Sequence, residues 1–401
     1  MFRVAPRSRA ARAAIASVVA AMVVVIAAPG VATAAPPAPW HIVDSPNLGT
    51  GHNHFQELSC ASSTRCAAVG YTQDPSTLVQ RALVATASNG MWKLGAVPAR
   101  GTGNNSLWNV SCPTSIRCVA VGSATNLSVG YNQTLIASYD GRAWTLVPSP
   151  NRPNVDNFLF GVDCVDATHC VAVGRSYDTP SQTSRSLVLS WSGSKWTIDK
   201  TPDRGHASNL LADVSCGDAT HCMAVGYTVD GTSGVLQTLV LARTGTTWAL
   251  QPSFNRPGAS NVLRDVACPT ATTCTAVGAS DPGTGPFDEQ SLIETLGGGV
   301  WSLAASPDRT GYDNHLWGVS CSNASNCVAV GESQNGEKAR TLIQTMSGGT
   351  WRLTSPSPYR GGTYNYLYGV SCPSRRACVA AGDYLNATSH LFRTSILTNA
   401  G

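Results

Sequence analysis

The chain has 401 residues, of which only 12% are charged, with 38 glycines, 23 prolines and 14 cysteines. Its 27 Lys and Arg outnumber 23 Asp and Glu, but Arg3, Arg7, Arg9 and Arg12 account for the whole excess, so the rest of the chain is formally neutral. A neutral domain lacks the basic field of a general nucleic-acid or polyanion binder, and the Gly- and Pro-rich composition suits many short strands and turns.

Those four arginines lead into the apolar run 13–28, which is followed by Pro29-Gly30 and the small residues Ala32-Thr33-Ala34. This is the layout of a secretory signal peptide over 1–35, cleaved after Ala34 or Ala35 to leave 36–401 as a single mature domain. The apolar run has 16 residues, short of the roughly 20 that cross a bilayer, and no second run follows. The expectation is a secreted, extracellular monomer with no membrane span after cleavage.

The cysteines then fall as Cys60/Cys66, Cys112/Cys118, Cys164/Cys170, Cys216/Cys222, Cys268/Cys274, Cys321/Cys327 and Cys372/Cys378, seven C-x5-C pairs advancing by 52, 52, 52, 52, 53 and 51 residues. Ala-Val-Gly follows the second cysteine of the pair, as in Ala120-Val121-Gly122, and a tryptophan recurs at Trp40, Trp92, Trp144, Trp196, Trp248, Trp301 and Trp351. Each unit reads as four strands, in the second copy 107–112, 118–123, 134–138 and 144–148. Four strands at a period near 50 indicate a propeller blade, so the predicted fold is all-β, a seven-bladed β-propeller. Trp40 precedes the first cysteine pair and no tryptophan follows the last. The seventh blade is therefore predicted to be composite, with its outermost strand at 40–45 and the other three from about 367–399.

Each cysteine pair flanks a five-residue hairpin loop, which predicts seven local disulfides; the spacing fits no zinc site, and no metal or other cofactor is expected. The recurrent tryptophans read as packing between blades. Trp108, Phe160, Trp317 and Tyr368 share a register position held elsewhere by Gln56, Ala212 and Arg264; this irregularity makes them better ligand candidates than the repeated tryptophans, while packing on the blade face is the first reading for them too.

Seven residues before each first cysteine stands an asparagine: Asn53, Asn105, Asn157, Asn209, Asn261, Asn314 and Asn365. Asparagine suits left-handed turns and bonds nearby backbone, so these read as structural turn locks. Twelve residues before it, six units carry Arg100, Arg152, Arg204, Arg256, Arg309 and Arg360. Two readings stand for the arginines. They form an anion-binding collar, or they act as inter-blade struts on acids or carbonyls. Single-copy carboxylates include Glu57, Asp74, Asp213, Asp265, Asp288 and Glu289, and His52 and His54 form a lone H-x-H, but no spacing selects a catalytic pair and no catalytic residue is assigned.

The turn Ser138-Tyr139-Asp140-Gly141-Arg142-Ala143-Trp144 resembles a shortened Asp-box, the repeat of BNR-type propellers that include sialidases and sorting-receptor ectodomains. Other turns, such as Ser192-Gly193-Ser194-Lys195-Trp196, lack the aspartate, and the Arg-Ile-Pro segment of sialidases is absent, so the resemblance implies fold and no catalytic residues. The L-x-x-V-S-C-x5-C-x-A-V-G unit also resembles repeats of exported bacterial proteins that generally lack an assigned activity. Together these features predict a non-enzymatic binding scaffold for an extracellular glycan or protein, with a carbohydrate-active enzyme as the alternative.

Overall fold

A computed structural model describes residues 39–205, 208–355 and 357–399. The predicted leader, 1–35, lies outside the described residues. Seven separate four-stranded antiparallel sheets make up the domain. Six are continuous in sequence: blade 1 spans 52–95, blade 2 105–146, blade 3 156–198, blade 4 209–251, blade 5 260–303 and blade 6 313–353. Blade 7 takes three strands from 365–398 and its outermost from His41–Val43, with His41 opposite Thr398 and Val43 opposite Ile396. The composite blade predicted from the tryptophan count is therefore present. The connections between blades define one face of the ring, and the cysteine hairpins with the Gly-x-x-Trp turns define the other.

The repeated residues are those that join blades. Trp144 packs on Val110, Cys118 and Ala137 of blade 2 and, across the junction, on Ala67, Val69 and Val84 of blade 1. The same arrangement recurs around Trp196, Trp248, Trp301 and Trp351, each in a cluster that draws on the preceding blade.

The cysteines pair as the spacing predicts: Cys60–Cys66, Cys112–Cys118, Cys164–Cys170, Cys216–Cys222, Cys268–Cys274, Cys321–Cys327 and Cys372–Cys378, with Cα atoms 3.9–4.1 Å apart. No free cysteine is found among the described residues. Although each pair flanks a loop, Cys66, Cys118, Cys170, Cys222, Cys274, Cys327 and Cys378, the second member of each pair, are all buried. Each begins or nearly begins the second strand of its blade and points its sulfur into the apolar cluster there: Cys66 with Phe55 and Leu58, Cys222 with Leu211 and Trp248, Cys274 with Leu263 and Trp301, Cys327 with Leu316 and Trp351, and Cys378 with Leu367 and Trp40. The bridges therefore serve as core packing as well as cross-links. Each bridge closes a seven-residue loop and so removes about 2 kcal/mol of unfolded-state entropy.

The innermost strand of every blade bulges. The register slips between Phe55 and Glu57 and at the corresponding place in all seven blades, leaving Gln56, Trp108, Phe160, Ala212, Arg264, Trp317 and Tyr368 unpaired. The bulge presses this strand onto the second one. A Cβ on the repeat glycine, Gly70, Gly226 or Gly331 for example, would overlap the carbonyl oxygen of His54, Leu210 or His315. The Ala-Val-Gly glycine thus serves close backbone approach, and the bulge it permits turns the side chain at that position toward the axis.

Gly226→Ala is expected to lower the unfolding free energy by about 2–3 kcal/mol. Gly297, with nothing within 4 Å of its would-be Cβ, is the control: Gly297→Ala should stay within about 0.5 kcal/mol of the parent in denaturant titration.

Candidate functional site

The two repeated polar positions bind the chain to itself. Asn157 accepts the N–H of Arg152 at 3.0 Å and donates to the carbonyls of Arg152 and Val155, both at 2.9 Å; Asn53, Asn105, Asn261 and Asn314 close the same loop. Asn209 brackets Arg204 in the same way. Asn365 is equally buried, but its Nδ2 has no partner. None of the seven has a positive φ, so their use is side-chain bonding to backbone and not left-handed geometry.

The arginines lean from each connection onto the blade it enters. The guanidinium of Arg100 donates to Thr134 O at 2.5 Å, that of Arg204 to Thr238 O at 2.9 Å, that of Arg256 to Ser291 O at 3.1 Å and that of Arg309 to Thr341 O at 3.3 Å. Arg360 reaches Val43 O at 2.8 Å, while Nη1 of Arg152 is buried without a partner. Ion pairs found among the described residues all involve histidine.

The ring axis has two differently furnished ends. At the hairpin face it opens into a polar bowl of about 230 Å³. Its wall is a ring of hydrogen bonds between blades. Six of the seven first cysteines donate their N–H to the side chain of the residue that precedes the first cysteine of the neighbouring blade: Cys112 to Ser59, Cys164 to Ser111, Cys268 to Ser215, Cys372 to Ser320 and Cys60 to Ser371, all at 3.0 Å, and Cys216 to Asp163 at 2.8 Å. Ala267 leaves the seventh link without a side-chain acceptor.

Two residues deeper, the axis-facing register reads Glu57, Asn109, Gly161, Asp213, Asp265, Gly318 and Gly369. Three glycines are required because the circle is too narrow for seven side chains: a Cβ at Gly369 would overlap Glu57, and one at Gly161 would meet Asp213. Asp213 accepts from Asn109 Nδ2 at 3.1 Å, and Asp265 accepts the N–H of Val266 at 2.7 Å and of Val319 at 2.5 Å. Asp213 and Asp265 also bond to each other, which requires a shared proton. Burial first, and then the neighbouring carboxylates, hold Asp213 and Glu57 well above the usual carboxyl range; burial also raises Asp265 and Asp163. Of the single-copy carboxylates in the sequence, ring closure gathers Glu57, Asp213 and Asp265 and leaves Asp74 and Asp288 in exposed loops, capping local turns.

At the connection face the mouth is aromatic. Ring centroids lie 6.4 Å apart for Phe160 and Trp108, 5.7 Å for Trp108 and Tyr71, 4.8 Å for Tyr71 and His54, and 5.2 Å for His54 and Phe392. The arc continues from Phe392 to Tyr366 at 6.3 Å, to Tyr368 at 5.9 Å and to Trp317 at 5.7 Å, and the Arg264 guanidinium sits 3.7 Å above the Trp317 ring. Two acid–histidine groups back it. His54 Nδ1 lies 2.6 Å from Asp383; His315 is clamped between Glu332 at 2.9 Å and Glu289 at 2.6 Å, and Trp317 Nε1 also donates to Glu332. Burial works against charge on His315, but the two carboxylates outweigh it and raise its pKa. Burial pushes the Tyr366 hydroxyl up to about 12 and the Tyr368 hydroxyl higher still.

The four irregular aromatics of the sequence thus meet in one mouth. Glu332, Asp383 and His315 were not among the sequence candidates. Glu332 and Asp383 share one register, just after the repeat glycine, with Tyr71, Ser123, Arg175, Tyr227 and Ala279. Variation at that single position within a constant frame was the available signal.

No family model matches the chain, and no curated protein does; the shortened Asp-box turn remains a local likeness. Solved structures do match in fold. A structure described as YCF48 bound to D1 peptide aligns at TM-score 0.54 and 11% identity, covering 91% of this chain and 97% of that one. YCF48 from Cyanidioschyzon merolae gives 0.53 at 11% identity, covering 90% and 99%. The GH74 xyloglucanase from Xanthomonas campestris gives 0.52 at 11%, covering 89% of this chain and 55% of that one. Identities this low establish a shared propeller fold.

Arg100→Ala removes a charge-assisted bond to the carbonyl of the buried Thr134 and should cost about 1–3 kcal/mol in chemical unfolding. An unchanged midpoint would deny Arg100 a strut role. The raised carboxyl pKa values make the bowl's contribution to stability complete at acid pH and progressively lost as pH rises through those values. Asp213→Asn replaces the shared proton with an amide, so its stability relative to the parent should increase between about pH 5 and about pH 8, as followed by thermal unfolding; a parallel pH profile would contradict the shared proton.

Proposed function

We propose that the protein is an exported, non-enzymatic binding propeller that takes an extracellular or cell-surface glycan at the aromatic mouth of its connection face. The observation that carries this reading is the continuous arc from Phe160 through Trp108, Tyr71 and Phe392 to Trp317, built at register positions where the blades differ. Half-buried rings with offset or edge-on neighbours offer flat apolar faces to the C–H face of a sugar, while the imidazoles and carboxylates beside them can meet hydroxyl edges. Seven hairpin disulfides support residence in an oxidising compartment, as the predicted leader does.

A protein partner is the second reading, favoured by the exposed apolar residues Leu48, Leu78, Leu127, Phe254, Phe287 and Tyr359 in the loops and connections of the same face. A hydrolase would draw on the raised carboxyls of the bowl. Asp213 and Asp265, however, bond to each other rather than standing roughly 5–9 Å apart as glycosidase pairs do, and Glu289 and Glu332 are both engaged by His315.

The test is a glycan array probed with the oxidised protein and with Trp108→Ala and Tyr366→Ala. Binding to a subset of glycans should weaken about tenfold in each variant, equivalent to ~1.4 kcal/mol, with the unfolding midpoint retained. Binding untouched by both substitutions would move the site away from the arc. Absence of glycan binding with a cross-linked protein partner would support the second reading, and release of new reducing ends would support a hydrolase.

A further inference from the structure

Every blade junction on the connection face is closed by one hydrogen bond of the same kind. At six of the seven the residue before the buried asparagine accepts an N–H from the start of the third strand of the preceding blade. Asn104 Oδ1 accepts from Gln80 at 3.0 Å, Asp156 Oδ1 from Asn132 at 2.7 Å, Ser208 Oγ from Ser184 at 3.1 Å, Ser260 Oγ from Leu236 at 3.3 Å and Asp313 Oδ1 from Glu289 at 3.1 Å. Between blades 6 and 7 the equivalent residue is Tyr364, and the backbone takes over, Thr363 O accepting the Ala339 N–H at 2.9 Å. Between blades 7 and 1 the acceptor is a ring nitrogen: Phe392 donates to His52 Nδ1 at 3.1 Å.

These acceptors differ in how they respond to protons. Amide, hydroxyl and peptide oxygens keep their lone pairs throughout the ordinary pH range, and a carboxylate keeps its own above about pH 4. An imidazole nitrogen accepts only while it is unprotonated. Among the seven links, the one that mild acid can remove lies at the junction between blade 7 and blade 1, where the ring closes. We infer that His52 is an acid-released latch: a solvent proton taken up at Nδ1 abolishes its bond to the Phe392 N–H and loosens blade 7 from blade 1.

The surroundings oppose a second charge there. His54, two residues along the same strand, stacks on His52 with centroids 6.2 Å apart, and Arg393, next to Phe392, is held nearby through the Gly49 and Gly51 carbonyls. The neighbouring carboxylate, Asp383 on the second strand of blade 7, is engaged by His54. Tyr71 of blade 1 and Tyr366 of blade 7 face His54 and Phe392 with their rings, and His390, in the loop before Phe392, is exposed. Burial, followed by the charges of His54 and Arg393, lowers the His52 pKa below the ordinary imidazole value. Because the folded value is the depressed one, the stabilisation is complete above the unfolded pKa of about 6.5 and lost as pH falls through the folded value. Phe392 is also a member of the aromatic arc, so release would disturb one end of the mouth, but the latch does not depend on what the mouth binds.

Hydrogen exchange of the intact oxidised protein at about pH 7.5 and about pH 5, corrected for intrinsic rates, tests the inference. Protection of 391–399 should fall about tenfold in acid, while the matching third-strand segment of blade 2 holds. His52→Asn installs the acceptor type that blade 2 uses and should abolish the loss; Asn104→His should transfer acid sensitivity to the Gln80 junction; His390→Asn should behave as the parent. Constant protection at 391–399 in the parent, or an equal loss in His52→Asn, would overturn the latch. Should His52→Asn not fold, NMR titration of the parent decides: a His52 pKa at or above about 6.5, or a Phe392 amide that does not respond to it, also overturns the inference.

Discussion

A backbone amide that points sideways sets the geometry of this ring. The N–H of the first cysteine is donated to a side chain of the preceding blade in six of the seven blades, in links of 2.8–3.0 Å. A serine or aspartate on one blade therefore fixes the radial position of the innermost strand of its neighbour. The disulfide beside each amide keeps the hairpin from fraying away from that link. Once the inner strands are held at a fixed radius, the axis has room for four side chains and three glycines, which is why Glu57, Asn109, Asp213 and Asp265 share the circle with bare backbone. Crowded acids in a confined space relieve their repulsion by keeping protons.

The frame was legible in the sequence because its requirements repeat. The cysteine ladder, the tryptophans and the Ala-Val-Gly glycine each answer the same local demand around the ring, so blade number, strand count and the composite closure could be read without comparison to another chain. Pairing of the cysteines was legible for the same reason, whereas the burial of Cys66, Cys222, Cys274, Cys327 and Cys378 was not, because what covers them belongs to strands far from the hairpin loop. The asparagine and arginine positions were equally visible, yet their partners are backbone groups five residues away or on the next blade, and a carbonyl leaves no mark in a sequence. The axial acids were noticed individually as single-copy residues. What could not be read was their meeting. His54 and Asp383 are 329 residues apart and become neighbours only because the circle closes. Glu332 escaped notice because its register holds a different residue in almost every blade, the opposite of a motif.

A symmetric frame with asymmetric filling gives the domain its direction. On the hairpin face the side chains serve the ring itself, and the carboxyls there are engaged with one another and with backbone. On the connection face the same registers are filled with Trp108 and Phe160 in two blades, Trp317, Glu332 and His315 in blade 6, and Tyr366, Tyr368 and Asp383 in blade 7. Aromatic surface and buried ion pairs are concentrated on the arc that runs from blade 5 through blade 7 to blade 3. Solved propellers that share the fold at 11% identity include one described as bound to a peptide and one described as a xyloglucanase, so the frame accommodates different uses and the filling decides among them.

The borrowed strand of blade 7 has a consequence for the order in which the domain can form. Among the described residues His41–Val43 is the first strand in chain order and pairs with Phe392–Thr398, the last. Six blades can assemble as they emerge, each complete in itself, but His41–Val43 stays without a partner until Phe392–Thr398 has been made. Its neighbour, the inner strand of blade 1, likewise waits for Ser371 to receive the Cys60 amide. The circle therefore acts as a check on completeness: a nascent chain that stops short of the seventh blade leaves His41–Val43 without its partner strand and the inner strand of blade 1 without its neighbour, surfaces that proteases and chaperones recognise, whereas ring closure covers both.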